Sequence, residues 1–174
     1  MIKPTRLAAA VEAEGEVGLS FEEFFGAEHE RLFQAVYLLG GDAHEADDIA
    51  QEALMRAYER WDDVRTMDSP VGYVYRTALN LYRSRLRKVA VRARRVFFTI
   101  PRDDVSGEVA ARYDVRRALA SLPGAQREAL VLIEWLGLGS DEAGAVLGID
   151  ASSVRGRLHR GRASLRRILG DPDE

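Results

Sequence analysis

Apolar residues recur at spacings of three and four along most of this chain, and no useful length alternates with period two. That pattern predicts a nearly all-α protein. A first helix is expected over about 21–39, burying Phe24, Phe25, Leu32, Phe33, Val36 and Tyr37, and ending at Gly40-Gly41-Asp42. A second, about 43–61, buries Ala46, Ile49, Ala50, Ala53, Leu54, Ala57 and Trp61, and turns Asp47, Asp48, Gln51, Glu52, Met55 and Glu59 outward. After the polar loop D-D-V-R-T-M-D-S-P, Ser69 and Pro70 give a capping hydroxyl followed by proline at the first helical position. The third helix, about 70–95, buries Val71, Val74, Tyr75, Ala78, Leu79, Tyr82 and Leu86. Its outer face carries Tyr73, Arg76, Thr77, Asn80, Arg83, Ser84 and Arg87. Residues 96–112, with Pro101, Asp103, Asp104, Ser106 and Gly107, break the pattern as a linker. Phe97, Phe98 and Ile100 in it either dock on a partner or pack on the third helix. Helices resume near 114–121 and 124–136, on either side of Leu122-Pro123-Gly124.

The last periodic stretch, 140–167, reads as two helices joined by a tight turn. Ala143 and Gly144 are small where two helices must approach, Gly148 suits a turn that needs positive φ, and Asp150 can cap the second helix. At about 100° per residue, Val154, Leu158 and Leu165 form one narrow apolar stripe. Ser152, Arg155, Gly156, His159, Arg160 and Arg167 fall on the other side. Six arginines and no acid lie between Arg155 and Arg167. Such a face repels itself unless a polyanion lies against it, and a helix held by this turn can be laid into the DNA major groove. The expected fold is therefore all-α. Two small helical domains are joined by a flexible linker, and the second ends in a helix-turn-helix.

Composition narrows the chemistry. The 174 residues include no cysteine, which removes disulfides, thiolate zinc sites and thiol catalysis, and fits a reducing cytoplasm. His29, His44 and His159 lie far apart, without metal-ligand spacing, so neither a metal nor another cofactor is expected. No segment is long enough to span a bilayer, and residues 1–19 read as a flexible tail rather than a signal peptide. A net charge of −3 suits a DNA binder poorly until its distribution is considered. Residues 20–63 hold twelve acids and three arginines, whereas 69–95 hold eight basic residues and no acid. Charge segregated in this way offers nucleic acid one surface and another partner a second.

The third helix mixes arginines, which fork onto phosphate, with an aromatic ring that can stack on an unstacked base and an asparagine that can read a base edge. That set suits single-stranded or opening DNA; a basic amphipathic helix with an incidental tyrosine has the same composition. The acidic outer face of the second helix is no acid/base pair, since its carboxylates are not desolvated. It is either a solvated face or a docking face for a basic partner helix, with Met55 as an adaptable apolar contact.

In this order, the pieces resemble the extracytoplasmic-function class of RNA polymerase sigma factors of the sigma-70 family. The resemblance covers about residues 21–95 and 114–169. A core-polymerase motif stands as G-D-A-H-E-A-D-D-I-A-Q-E-A-L-M-R-A-Y (41–58), and a promoter-melting motif as S-P-V-G-Y-V-Y-R-T-A-L-N-L-Y-R-S-R-L-R-K (69–88). L-P-G-A-Q-R-E-A-L-V-L (122–132) resembles the start of region 4. The resemblance implies a non-enzymatic initiation factor acting in the cytoplasm. Its domains would be a region 2-like unit (20–95) and a region 4-like unit (113–170). Its partners would be core polymerase (the β′ clamp and β flap), promoter DNA and an anti-sigma factor. It further implies that Asp47, Asp48, Gln51, Glu52 and Met55 meet the β′ clamp helices. Tyr73, Arg76, Thr77, Asn80, Arg83 and Arg87, with the loop of about Asp62–Ser69 before them, would open and read the −10 element. Ser152, Ser153, Arg155, Gly156, His159 and Arg160 would approach the −35 element.

The chain departs from the family pattern in four respects. Tyr73 stands where many members have tryptophan, Ala143 replaces a larger aliphatic residue, and Thr77 breaks an aliphatic position. Gly156 and Gly161 each cost the last helix roughly 1 kcal/mol relative to alanine. The main competing reading is a dimeric helix-turn-helix regulator, acting without polymerase, with a sensor or dimerisation domain in 20–95. An enzyme acting on nucleic acid has no metal or nucleophile constellation behind it.

Overall fold

Ser20 starts the first helix because its hydroxyl accepts the Glu23 N–H at 3.2 Å while the Glu23 carboxylate accepts the Ser20 N–H at 3.0 Å, a reciprocal capping box. In this computed structural model, which describes residues 19–93 and 115–169, that helix is α1 (Phe21–Gly40). Gly41, at φ 81°, turns the chain out of it and donates its N–H to the Tyr37 carbonyl. Asp42 caps α2 (Ala43–Tyr58) by accepting the Glu45 N–H. The helix expected to reach 61 stops at Tyr58, and a separate single turn, α3 (Trp61–Val64), follows. Val64 pins that turn to the core with no exposed surface. The expected Ser69 cap is present: its Oγ accepts the Gly72 N–H at 2.9 Å and opens α4 (Pro70–Ala93). Then come α5 (115–120), α6 (Gly124–Leu130), α7 (Ser140–Leu147) and α8 (Ala151–Leu169). The end of α6 widens into a π-helix over Val131–Trp135. No strand occurs among the described residues. The expected linker 96–112, with Phe97, Phe98 and Ile100, and nearly all of the expected tail lie outside the described residues.

Helices α1, α2 and α4 pack around Phe24, Leu32, Val36, Ile49, Leu54, Val74 and Leu79, all buried. The alanines of α2 (Ala46, Ala50, Ala53, Ala57) are almost wholly buried and let its neighbours approach closely. Two expected core residues lie at the surface. Phe25 is 40% exposed and stacks on His29, with ring centroids 4.9 Å apart, at the rim of the bundle. Leu86 is 47% exposed because α4 runs on beyond its packed part: after Tyr82, no residue of it through Val89 is buried.

The second half joins the same core rather than forming an isolated one. Val131, Leu132, Leu136, Ala143, Val146, Leu147 and Val154 are continuous with the α1–α2–α4 cluster, while Leu119, Leu122, Leu130 and Leu158 form a satellite. At this seam lies Glu28, 1% exposed, whose carboxylate accepts from the Tyr75 hydroxyl (3.0 Å) and Arg31 (3.1 Å). Burial pushes the Glu28 carboxyl above its ordinary value despite the nearby guanidinium, and also raises the Tyr75 phenol.

Candidate nucleic-acid interface and acidic docking face

The turn of the helix-turn-helix is built from backbone constraints. Gly148 sits at φ 70° and donates to the Gly144 carbonyl, and Ile149 N–H donates to the same carbonyl at 3.0 Å. A Cβ on Gly144 would stand 2.7 Å from the Ile149 carbonyl oxygen, so only glycine permits this crossing. The Asp150 carboxylate accepts the Ser153 N–H at 2.7 Å and the hydroxyls of Ser152 and Ser153. These bonds, led by that from Ser152, hold its carboxyl well below the usual range.

The expected stripe of α8 faces inward, with Val154 and Leu158 buried and Leu165 half-buried. Ser152, Arg155, His159 and Arg160 are exposed, while Ser153 and Gly156 are partly covered. Arg160 lies over Gly156: a Cβ there would be 3.6 Å from its Nη1. Gly161 is buried, and a Cβ on it would meet Leu130 Cδ1 at 2.8 Å, so this glycine lets α8 lie close against α6. Arg162 is occupied with Glu134 (Nε–Oε1 2.7 Å) and braces α8 on the π-turn. Among the described residues, neither Arg155 nor Arg160 makes an ion pair.

On α4, Arg76, Asn80 and Arg87 are exposed. Tyr73 and Thr77 are half-buried; Thr77 donates its hydroxyl to the Tyr73 carbonyl at 2.8 Å, which satisfies a polar group at an otherwise aliphatic position. Arg83 does not point freely outward. It forks onto the Glu128 carboxylate (Nε–Oε1 2.9 Å, Nη2–Oε2 2.6 Å), and that hydrogen bonding holds its guanidinium still more firmly protonated. Glu128 is 8% exposed.

The acidic face of α2 is also partly paired from within. Asp47 accepts from Gln51 at 2.8 Å, Glu52 accepts from Arg56 at 2.7 Å, and Met55 is exposed. Arg85 of α4 reaches across to Asp48 (3.7 Å) and Glu52 (3.3 Å). Sequence reading missed Arg85 and Glu128. Glu128 stands four residues before buried Leu132, so an acid on the buried side of its helix was the available signal. No cluster able to hold a metal ion occurs among the described residues, and no described helix is long and apolar enough to cross a membrane.

Residues 24–92 match the family Sigma-70 region 2, and residues 112–165 match Sigma-70, region 4. The first match takes up the stretch in which a dimerising regulator would need its sensor. The chain is 32% identical over 157 residues to the RNA polymerase sigma-E factor of Streptomyces coelicolor, covering 89% of this chain and 88% of that protein. It is 31% identical over 161 residues to the ECF RNA polymerase sigma factor SigE of Mycolicibacterium smegmatis, covering 86% of this chain but only 62% of that longer relative. The fold is shared with the sigma factor RpoE solved in complex with the anti-sigma factor NepR from Bartonella quintana. There the TM-score is 0.75 at 23% identity, over 87% of this chain and 98% of that one.

Proposed function

The chain belongs to the extracytoplasmic-function RNA polymerase sigma factors of the sigma-70 family, and on that premise we propose that it is a specificity subunit without catalysis of its own, acting in the cytoplasm. The acidic face of α2 (Asp47, Asp48, Gln51, Glu52, Met55) docks on the β′ clamp of core polymerase. The region 4-like half meets the β flap and lays α8 in the major groove of the −35 element, with Arg155 and Arg160 reaching phosphate or base edges. Ser152, Ser153, Gly156 and His159 complete that face. On α4, Tyr73, Arg76, Thr77, Asn80, Arg83 and Arg87 take up the −10 element as it opens. Unstacking a base costs a few kcal/mol, which stacking and hydrogen bonds offset. An anti-sigma factor that covers these faces is the natural negative regulator. In this reading, residues 20–95 and 113–170 are the two functional domains.

The observation that carries the reading is the division of surface charge: carboxylates on α2, and exposed arginines outside any ion pair at Arg76 and Arg87 of α4 and Arg155 and Arg160 of α8. The test is transcription in vitro from a genomic fragment library with core polymerase and this chain. Specific initiation is expected. Asp48→Arg is expected to abolish association with core polymerase, with circular dichroism as the control because the new arginine faces Arg85. Undiminished association of a folded variant refutes the docking face.

A further inference from the structure

We propose that Arg85 is an internal competitor for core polymerase: its guanidinium occupies the docking carboxylates of α2 in the free chain, and a basic partner has to displace it. The inference rests on the reading above for which face meets polymerase.

Several arginines cross between helices in this fold, and their acceptors set Arg85 apart. Arg83 forks onto Glu128, a carboxylate almost closed to solvent. Arg127 donates to the Leu39 carbonyl at 2.5 Å, and Arg116 to the Tyr37 hydroxyl (2.7 Å) and the Gly41 carbonyl (3.1 Å). These last acceptors lie at the C-terminal end of α1, the negative pole of its dipole, and α1 has no basic residue in its own last turn. None of them is among the side chains assigned to a partner. Arg85 instead takes Asp48 and Glu52, two carboxylates of the docking face itself.

The geometry favours displacement over permanent bracing. Asp48 and Glu52 stand four residues apart, one above the other on α2. Arg85 bridges them, with Nη1 3.7 Å from Asp48 Oδ2 and Nη2 3.3 Å from Glu52 Oε2. A charge-assisted bond of this kind closes to about 2.7–2.9 Å when well made. Arg56 makes one such bond, at 2.7 Å, to the other oxygen of Glu52. The hold of Arg85 is loose by comparison. The side chains of Asp48 and Glu52 are 69% and 40% exposed, so a partner cation reaches both from solvent. Glu52 keeps its orientation through Arg56 when Arg85 leaves. Losing Arg85 therefore costs this face little order and returns negative charge to it. With Arg56 and Arg85 both seated, the two carboxylates are matched by two guanidinium groups, and this part of the face is nearly neutral.

The competition also reaches α4. Arg85 stands on the side of α4 turned to α2, about 180° around the helix from Arg76 at 100° per residue. It acts where α4 leaves the core, since after Tyr82 no residue through Val89 is buried. A partner that takes Asp48 and Glu52 unties this stretch from α2. Docking is thereby linked to the freedom of the helix assigned to the −10 element, and by reciprocity a firmer tie to α2 means weaker docking.

Arg85→Gln removes the charge and keeps much of the side chain, whereas Arg85→Lys keeps the charge. Lys88→Gln, on the exposed stretch of the same helix, removes an equal charge that touches neither carboxylate. Titrated with core polymerase at low salt, Arg85→Gln is expected to bind about three- to tenfold more tightly than the parent. The gain should shrink as salt rises. Arg85→Lys should recover most of the parent's behaviour, and Lys88→Gln should stay within about twofold of it. In the free protein, amide hydrogen exchange over residues 83–89 should quicken about threefold in Arg85→Gln and not in Lys88→Gln. Arg85→Met serves the same comparison if Arg85→Gln does not fold. Unchanged or weaker docking by the folded variant, an equal gain in Lys88→Gln or Arg85→Lys, or unchanged exchange overturns the proposal. Exchange that responds while no chain, the parent included, binds core polymerase removes the docking reading itself and leaves the tie between α4 and α2 standing.

Discussion

Gly144→Ala isolates the geometry that presents α8. The added Cβ would stand 2.7 Å from the Ile149 carbonyl oxygen, 3.5 Å from the Ala151 nitrogen and 3.6 Å from the Asp150 carbonyl carbon. All three neighbours are backbone, so no side chain can swing away and the turn itself must open. Overpacking of this kind costs about 1–3 kcal/mol. Replacing glycine by alanine within a helix returns about 1 kcal/mol. The net loss should be about 0–2 kcal/mol, or a fall in Tm of up to roughly 8 °C for a chain of this size. Opening the turn also tilts α8 relative to α7, so binding to a −35 duplex should weaken beyond what the stability change explains. The control is Ala145→Gly, on the exposed side of the same helix, which should lose about 1 kcal/mol of stability and leave DNA affinity intact. Thermal melts and duplex titrations of both variants decide the matter. A Gly144→Ala chain that melts higher than its parent, or binds DNA equally well, would show that the crossing is not the constraint described here.

Arg160→Ala should weaken −35 binding by about 1–3 kcal/mol on the matched sequence and less on mismatched ones; a uniform loss across sequences identifies a phosphate contact instead. Asn80→Ala should slow promoter opening more than closed-complex formation, and a pre-melted template should restore activity; no rescue removes Asn80 from base capture. Glu28 titrates above its ordinary value of 4.5 because it is buried, so its contribution to stability is full below that value and lost as pH rises through the raised one. Asp150, held below its ordinary value of 3.8, behaves oppositely, its contribution being lost as pH falls. Melts of Glu28→Gln and its parent from pH 4.5 to 7 should diverge as pH rises, and parallel curves would refute the assignment.

The three long helices, their caps at Ser69 and Asp150, the turn at Gly148 and the inward stripe of α8 were legible in the sequence, because each is a local matter of spacing or backbone freedom. Partnerships between distant residues were not. Arg83 occupies the outer face that periodicity assigns it, but its partner lies 45 residues away and no repeat announces it. Arg85 was invisible as the cross-brace to Asp48 and Glu52 for the same reason. Phe25 and Leu86 match the apolar register, yet register alone does not show where a neighbouring helix stops covering a face. Gly161 scored as a helix penalty because the propensity scale contains no term for Leu130 lying against it.

That α1 borrows the cations at its carboxyl end from Arg116 and Arg127 bears on any attempt to dissect this protein. A fragment ending near residue 93 would keep every residue of α1 and still lose the charges that steady its last turn. Its helix should fray towards Gly40 and melt below the intact chain. Binding assays on such a fragment would then report a damaged helix as well as a missing domain, so the intact polypeptide with point substitutions is the sounder material.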